Sequence, residues 1–165
     1  MSRLDDLATL ADYPSDGCLT RMAEIRSRAD GAAVRRFLDR VANLDSGELE
    51  ELYTKTFDLN PDCALDLGWH LFGEAYGRGA FLVEVKTLLS EHGVEAGTEL
   101  PDHLPSVLRL LARLDPPRRE RLARERVLPA LDPLEKGLSA FDSPFVDLVH
   151  AVRAELAPAP ATTEA

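Results

Sequence analysis

Apolar residues in this chain return every three or four positions in segment after segment, and no stretch alternates apolar with polar residues as a strand would. That period collects side chains on one face of a helix, which confines the chain to an all-α fold. Leu4, Leu7, Ala8, Leu10 and Ala11 form the first stripe, stopped by Tyr13-Pro14. Leu19, Met22, Ala23 and Ile25 form the second, with Ser15 or Asp16 as its cap and Asp30-Gly31 as its end. Val34, Phe37, Leu38, Val41 and Leu44 mark a third helix over about residues 32–44. A fourth starts at Ser46 and turns Leu49, Leu52, Tyr53 and Phe57 inward, with Glu51 and Lys55 one turn apart on its outer side.

The punctuation continues through the second half. Asn60 before Pro61 reads as a cap with proline in the first turn, opening a helix with Leu65, Leu67, Trp69, His70, Leu71 and Phe72. Gly73, Gly77 and Gly79 crowd its end, and the next helix, with Phe81, Leu82, Val85, Leu88 and Leu89, closes at His92-Gly93. A glycine-rich loop then leads to Glu99-Leu100-Pro101-Asp102-His103-Leu104-Pro105. Leu100 is extended because a proline follows it, and the next helix starts with Asp102 as its cap or with Pro105 as its first residue. Leu104, Val107, Leu108, Leu111 and Leu114 line that helix, which Asp115-Pro116-Pro117 ends. Leu128, Leu131, Leu134, Leu138 and Phe141 keep the apolar spacing, interrupted by Pro129 and Pro133, and Ser143-Pro144 opens a last helix through Leu156. The expectation is a compact single-domain all-α bundle of about eight to ten short helices over residues 1–156, since short connections pack neighbouring helices around a shared core. Residues 157–165 are rich in Pro, Ala and Thr and are expected to be a disordered tail.

Composition narrows the function. A formal net charge of −10 argues against nucleic acid and suits a basic peptide as partner. No apolar run approaches the roughly 18 residues that a bilayer span needs, and Met1 to Leu10 carry no signal-peptide pattern, so a cytoplasmic protein without direct membrane insertion is expected. Cys18 and Cys63 are too few and too far apart for a disulfide framework or a zinc motif. Residues 109–126 hold seven arginines and carry +4, against −14 for the rest of the chain. Pairs such as Asp115–Arg119 and Glu120–Arg124 would make that segment a solvated helix face.

Catalytic patterns are sparse. His70 and Glu74 are spaced for one helix face, but no second ligand pair accompanies them and Gly73 is placed to end the helix between them. His70 then packs or hydrogen-bonds a neighbouring loop. No Walker loop, dinucleotide fingerprint or Gly-x-Ser-x-Gly elbow is present. Asp102 and His103, held between two prolines at a helix start, read either as a capping turn or as a rigid polar pair able to dock a partner.

Three stretches, taken together, resemble a known family. They are Leu52-Tyr53-Thr54-Lys55-Thr56-Phe57-Asp58-Leu59; His70-Leu71-Phe72-Gly73-Glu74 with Arg78-Gly79; and Glu99-Leu100-Pro101-Asp102-His103-Leu104-Pro105. In order and spacing the chain is similar, over about residues 4–155, to the respiratory nitrate reductase assembly chaperones, the NarJ branch of the TorD/DmsD redox-enzyme maturation proteins. One departure is Arg109, where an acidic residue is common in the family.

The resemblance implies an all-helical chaperone, not an enzyme. It would bind the N-terminal segment of the nitrate reductase catalytic (alpha) subunit and assist molybdenum cofactor insertion before membrane attachment, binding no cofactor stably itself. Client-peptide-binding residues implied on this chain are Tyr53, Phe57, Asp58, His70, Phe72, Glu74, Arg78, Pro101, Asp102 and His103, with no metal site. Asp58, Glu74 and Asp102 would orient basic client residues, and the client helix would lie in a groove between bundle helices. The protein is expected to be a monomer or weak homo-oligomer. A sibling chaperone for another molybdoenzyme is the nearest alternative. A helical metal-dependent hydrolase using His70, Glu74, Asp102 and His103 is the alternative from another class.

Overall fold

Several helices begin where a side chain accepts from the unpaired N–H groups of the first turn. The structure, a computed structural model, describes residues 2–157. Residues 158–165, most of the stretch expected to be a tail, lie outside the described residues. α1 (Arg3–Ala11) is opened by a capping box between Ser2 and Asp5. α2 (Cys18–Arg28) starts at Gly17, whose φ of +81° is glycine's province, and not at Ser15 or Asp16. Leu19 on α2 is exposed, so the second stripe buries only Cys18 and Ile25. α3 (Ala32–Val41) buries Val34, Phe37, Leu38 and Val41 as its period predicts. α4 (Ser46–Tyr53) starts at Ser46 as expected, capped by Asp45 with Glu48 closing the box.

The chain then departs from simple helices. A π turn spans Thr54–Asp58, where the Leu59 N–H reaches back to the Thr54 carbonyl at 3.1 Å. Asn60 caps a single 3₁₀ turn, Pro61–Cys63, so the helix expected there begins later and leaves Leu65 outside it. α5 (Leu67–Phe72) ends at Gly73, whose φ is +57°. α6 (Gly77–Glu91) carries Gly77 and Gly79 in its first turn, and His92-Gly93 closes it as expected.

α7 (Leu104–Arg113) follows, with His103 as its cap residue and Pro105 in its first turn. Asp115, expected only to end α7, also caps α8 (Pro116–Leu122). A second π turn, Ala123–Val127, joins α8 to α9 (Leu128–Ser139). Pro129 and Pro133 therefore do not interrupt the helix. The wide turn falls just before Pro129, which has no N–H to give, and both prolines face solvent while Ala130, Leu131, Leu134 and Leu138 are wholly buried. Phe141, expected to continue that stripe, lies beyond the helix and is exposed. α10 (Phe145–Leu156) closes the fold, with the Ser143 hydroxyl accepting from the Phe145 N–H.

The helices form one compact all-α domain around α7. α1 packs on α7 and α10, α10 on α3 and α9, α5 on α9 and α6, and α6 on α7. Leu104, Val107, Leu108, Leu110 and Leu111 put α7 inside on most of its circumference. Its one long polar side chain on the half-buried side, Arg109, pairs with Asp12 at 2.9 Å. Among the described residues no helix is long and apolar enough to cross a membrane. In the arginine-rich segment Glu120 pairs with Arg124 at 3.6 Å as expected. Asp115 pairs instead with Arg118, and Arg119 turns inward to donate to the carbonyls of Leu111 and Leu114.

Candidate functional site

The second and third motifs meet in space at the point where α5 and α7 begin. The segment before α5 and the turn before α7 run antiparallel for one isolated bridge, Asp66 opposite His103. The Leu67 N–H donates to the Asp102 carbonyl at 3.1 Å and the Leu104 N–H to the Leu65 carbonyl at 2.9 Å. The turn itself closes when the His103 N–H donates to the Leu100 carbonyl across Pro101 and Asp102. Two short loops, 37 residues apart in sequence at the Asp66–His103 pair, are thereby locked together.

Asp102 points into this lock. It is 0% exposed, and its Oδ2 accepts from the Gly68 N–H at 2.7 Å. Neither expected helix start is therefore observed: Asp102 does not cap α7, Pro105 is not its first residue, and the Asp102 carboxylate is not presented to a partner. The reason is the absence of a side chain at Gly68. A Cβ there would lie 2.6 Å from the Asp102 carboxylate, 3.2 Å from Arg78 and 3.3 Å from Phe81. Arg78, half-buried on α6, completes a polar knot whose Nε atom has no hydrogen-bond partner among the described residues.

Electrostatics split the two carboxylates. Burial pushes the Asp102 carboxyl above its usual range, with the Gly68 N–H opposing, the Asp66 carboxylate adding to the rise and Arg78 opposing it. Asp66 is held below the usual range, chiefly by the facing His103 imidazole; its own half-burial opposes, and Arg78 and His70 assist. A carboxyl whose pKa is raised by folding binds more protons folded than unfolded. Its contribution to stability thus falls as pH rises from the ordinary carboxylate range through the raised value. Asp102→Asn, which keeps an oxygen for the Gly68 N–H, removes that loss. Urea unfolding at about pH 4 and about pH 7 is expected to favour the variant more at the higher pH. A difference between variant and parent that ignores pH would mean Arg78 fully compensates the buried charge.

The remaining expected residues lie elsewhere. Tyr53 and Phe57 are core residues, stacked edge-on at 4.8 Å between ring centres, and Phe57 meets Phe145 at 4.7 Å. The Tyr53 hydroxyl donates to the Ala11 carbonyl at 3.2 Å, and burial pushes the phenol's pKa up. They hold the π turn against α10, and of that motif's expected residues only Asp58 is exposed. His70 Nε2 lies 2.6 Å from the Ala64 carbonyl, which can only accept, so this nitrogen carries the proton. Phe72 leans on Phe81, and the Arg126 guanidinium covers both rings at 5.4 and 5.5 Å. Glu74 is exposed beyond Gly73, off the α5 face that carries His70.

The hydrolase set of His70, Glu74, Asp102 and His103 is thus not assembled. His70 bonds a carbonyl, Glu74 is separated by the helix end, and Asp102 faces Gly68. Among the described residues the group close enough to share a cation is a different one: Asp66, Glu99 and His103, with one ligand atom from each all within 4.8 Å. Cys18 and Cys63 are buried and unpaired.

Beside the knot, the loop from Gly93 to Pro101 and the outer face of α6 enclose an open groove of about 690 Å³. Leu82, Val83, Leu89, Val94 and Ala96 give it an apolar floor, and Glu95 and Glu99 stand on its lining. Pro101 is the expected site residue on its lining. Sequence reasoning missed Gly68, Asp66 and Arg126. Of these only Gly68 left a trace, a glycine inside an otherwise apolar helical run, which signals close approach of another group.

An all-α bundle in which two separated motifs meet at a buried polar knot beside an open groove is the class that fold and site define. The particular family follows from comparison: residues 25–151 match the family described as nitrate reductase delta subunit, and the chain belongs to that family. The matched region contains all three motifs and excludes α1. Two relatives, both named nitrate reductase molybdenum cofactor assembly chaperone NarJ, come from Escherichia coli strain K12 and Escherichia coli O157:H7. Each is 33% identical over 88 residues, covering 53% of this chain and 37% of the relative. The similarity thus spans well under half the length of these curated relatives.

Proposed function

We propose that this protein is a molybdenum cofactor assembly chaperone for a nitrate reductase. It binds the N-terminal segment of the catalytic alpha subunit in the cytoplasm and assists cofactor insertion before membrane attachment. It is not an enzyme and keeps no cofactor. The observation that carries this reading is the apolar groove between α6 and the 93–101 loop, in a chain of this family. The names of the two relatives support nitrate reductase as the client enzyme, and the charge of −10 suits a basic amphipathic segment of it.

In this reading the client helix lays apolar side chains on Val83, Leu82 and Val94, while Glu95 and Glu99 take its basic residues. Pro101 stands on the groove's lining. Asp102, His103, Arg78 and His70 act from behind, by fixing the loops. Asp58 and Glu74 are exposed carboxylates available to a longer client segment, and Phe72 steadies the start of α6. Tyr53 and Phe57 serve by holding the fold.

Calorimetry with a synthetic peptide of the alpha subunit's first 15 or so residues, about four helical turns, tests this. Binding is expected, and Val83→Asp is expected to weaken it at least about tenfold, since a carboxylate on an apolar contact costs more than about 1.4 kcal/mol. Val83 is 66% exposed, so the variant should keep its circular dichroism. An unaffected affinity in Val83→Asp would move the site off this groove. No binding by the parent would end the peptide reading, and tighter binding of another molybdoenzyme's leader would reassign the client.

A further inference from the structure

The imidazole of His103 is buried with an unused nitrogen. The residue is 8% exposed, and its Nδ1 atom has no hydrogen-bond partner among the described residues. Buried polar atoms in native proteins nearly always have a partner, so an orphan of this kind points to something that binds it. Its surroundings say what. Nδ1 lies 3.7 Å from Asp66 Oδ1, beyond hydrogen-bond length, and a Glu99 carboxylate oxygen shares the same space, all three atoms within 4.8 Å. We propose that Asp66, Glu99 and His103 form a binding site for a divalent transition-metal ion, which clips the turn before α7 to the segment before α5.

Two of the three ligands are already set in place by the backbone. Asp66 and His103 are the partners of the isolated antiparallel bridge, and residues directly opposite one another across such a bridge present their side chains side by side. Ligand atoms bound at about 2.0–2.2 Å in a tetrahedral shell stand roughly 3.4 Å apart, close to the observed Asp66–His103 spacing. Glu99 has the freedom to close the remaining gap, because its side chain is exposed and it sits on the loop. Asp66 is half-buried, which leaves the ion a route from solvent.

The donor set chooses the class of ion. One imidazole nitrogen with two carboxylates suits Zn²⁺, Co²⁺ or Mn²⁺, whereas Ca²⁺ and Mg²⁺ take oxygen ligands throughout. Water would fill the rest of the shell. The site is independent of the proposed chaperone role, although Glu99 also lies on the groove, so a bound ion would hold that wall of the groove in one position.

Calorimetry of the metal-free full chain with Zn²⁺ and with Co²⁺ provides the test, read together with the visible spectrum of bound Co²⁺. One equivalent is expected to bind and to raise the melting temperature. Asp66→Asn and Glu99→Gln each remove one ligand at partly or fully exposed side chains and should leave the apo fold intact by circular dichroism. Each is expected to weaken the metal at least about tenfold and to abolish or shift the Co²⁺ spectrum. Mg²⁺ is expected to bind far more weakly than Zn²⁺. The proposal is overturned if the parent binds no stoichiometric ion, or if binding survives unchanged in both folded variants. The first result would reduce the trio to side chains that are neighbours without a shared ion. The second would put the ion elsewhere on the chain.

Discussion

Leu108→Asp is expected to leave the chain unfolded, while Arg121→Ala is expected to be almost silent. Leu108 sits in α7 at 0% exposure, flanked by Leu104, Val107 and Leu111 on a helix that α1 and α6 both cover. A carboxylate there has no cation within the apolar stripe to pair with. An unpaired buried charge costs several kcal/mol, against a whole-domain stability of about 5–15 kcal/mol. Loss of the leucine's own packing adds to this, since removing a buried leucine costs about 2–5 kcal/mol. Arg121 lies on the exposed side of α8, where single changes usually stay within about 0.5 kcal/mol. Circular dichroism and urea titration of both variants check the pair. A cooperative Leu108→Asp melt within a few degrees of the parent would mean α7 is not the centre of the core.

Gly68→Ala is expected to produce a large loss from the smallest change. One methyl group would be placed 2.6 Å from the Asp102 carboxylate, with Arg78 and Phe81 at 3.2 and 3.3 Å on the other sides. Forcing a carbon into packed space costs about 1–3 kcal/mol. If Asp102 moves away, the Gly68 N–H and the carboxylate lose their bond inside the protein, at a further cost of about 1–3 kcal/mol. For a domain of this size each kcal/mol is worth roughly 2–4 °C, so a fall in melting temperature of roughly 5–20 °C is expected. Gly68→Ala combined with Asp102→Ala gives the check on cause. Removing the carboxylate makes room for the methyl group, so the double variant should lose less than the two single losses added together. Strict additivity would show that the glycine serves a purpose other than admitting Asp102.

Much of the architecture was legible because it depends on local period. The stripes at Leu4–Ala11, Val34–Val41, Leu104–Leu111 and Phe145–Val152 are all buried, and each is readable from spacing alone. Helix starts were less legible. Ser15 and Asp16 have capping side chains, yet Gly17 holds the cap position, because neighbouring candidates differ by less than the packing that fixes the helix. Pro129 and Pro133 read as breaks but lie on the solvent side of a helix held by its buried leucines. Among the expected site residues, those of the third motif lie beside the groove, and the structure gives several of the others packing contacts. Tyr53 and Phe57 are core side chains, and His70 is tied to the Ala64 carbonyl.

What the sequence by itself determined is the helical class, the apolar stripes, the acidic charge and the three motifs that mark the family. Each is a property of residues within a few positions of one another, where the helix period and residue chemistry set the outcome. The tertiary structure alone decided that Asp102 turns inward to Gly68 and that Asp66 stands opposite His103. It also decided that the 93–101 loop closes a groove on α6. Those arrangements join residues 34 and 37 positions apart for the first two. At a helix start an Asp side chain can cap its own backbone or reach a distant N–H, and local sequence favours the first. The choice falls to whichever bond survives burial, and that depends on the space a glycine leaves on another helix.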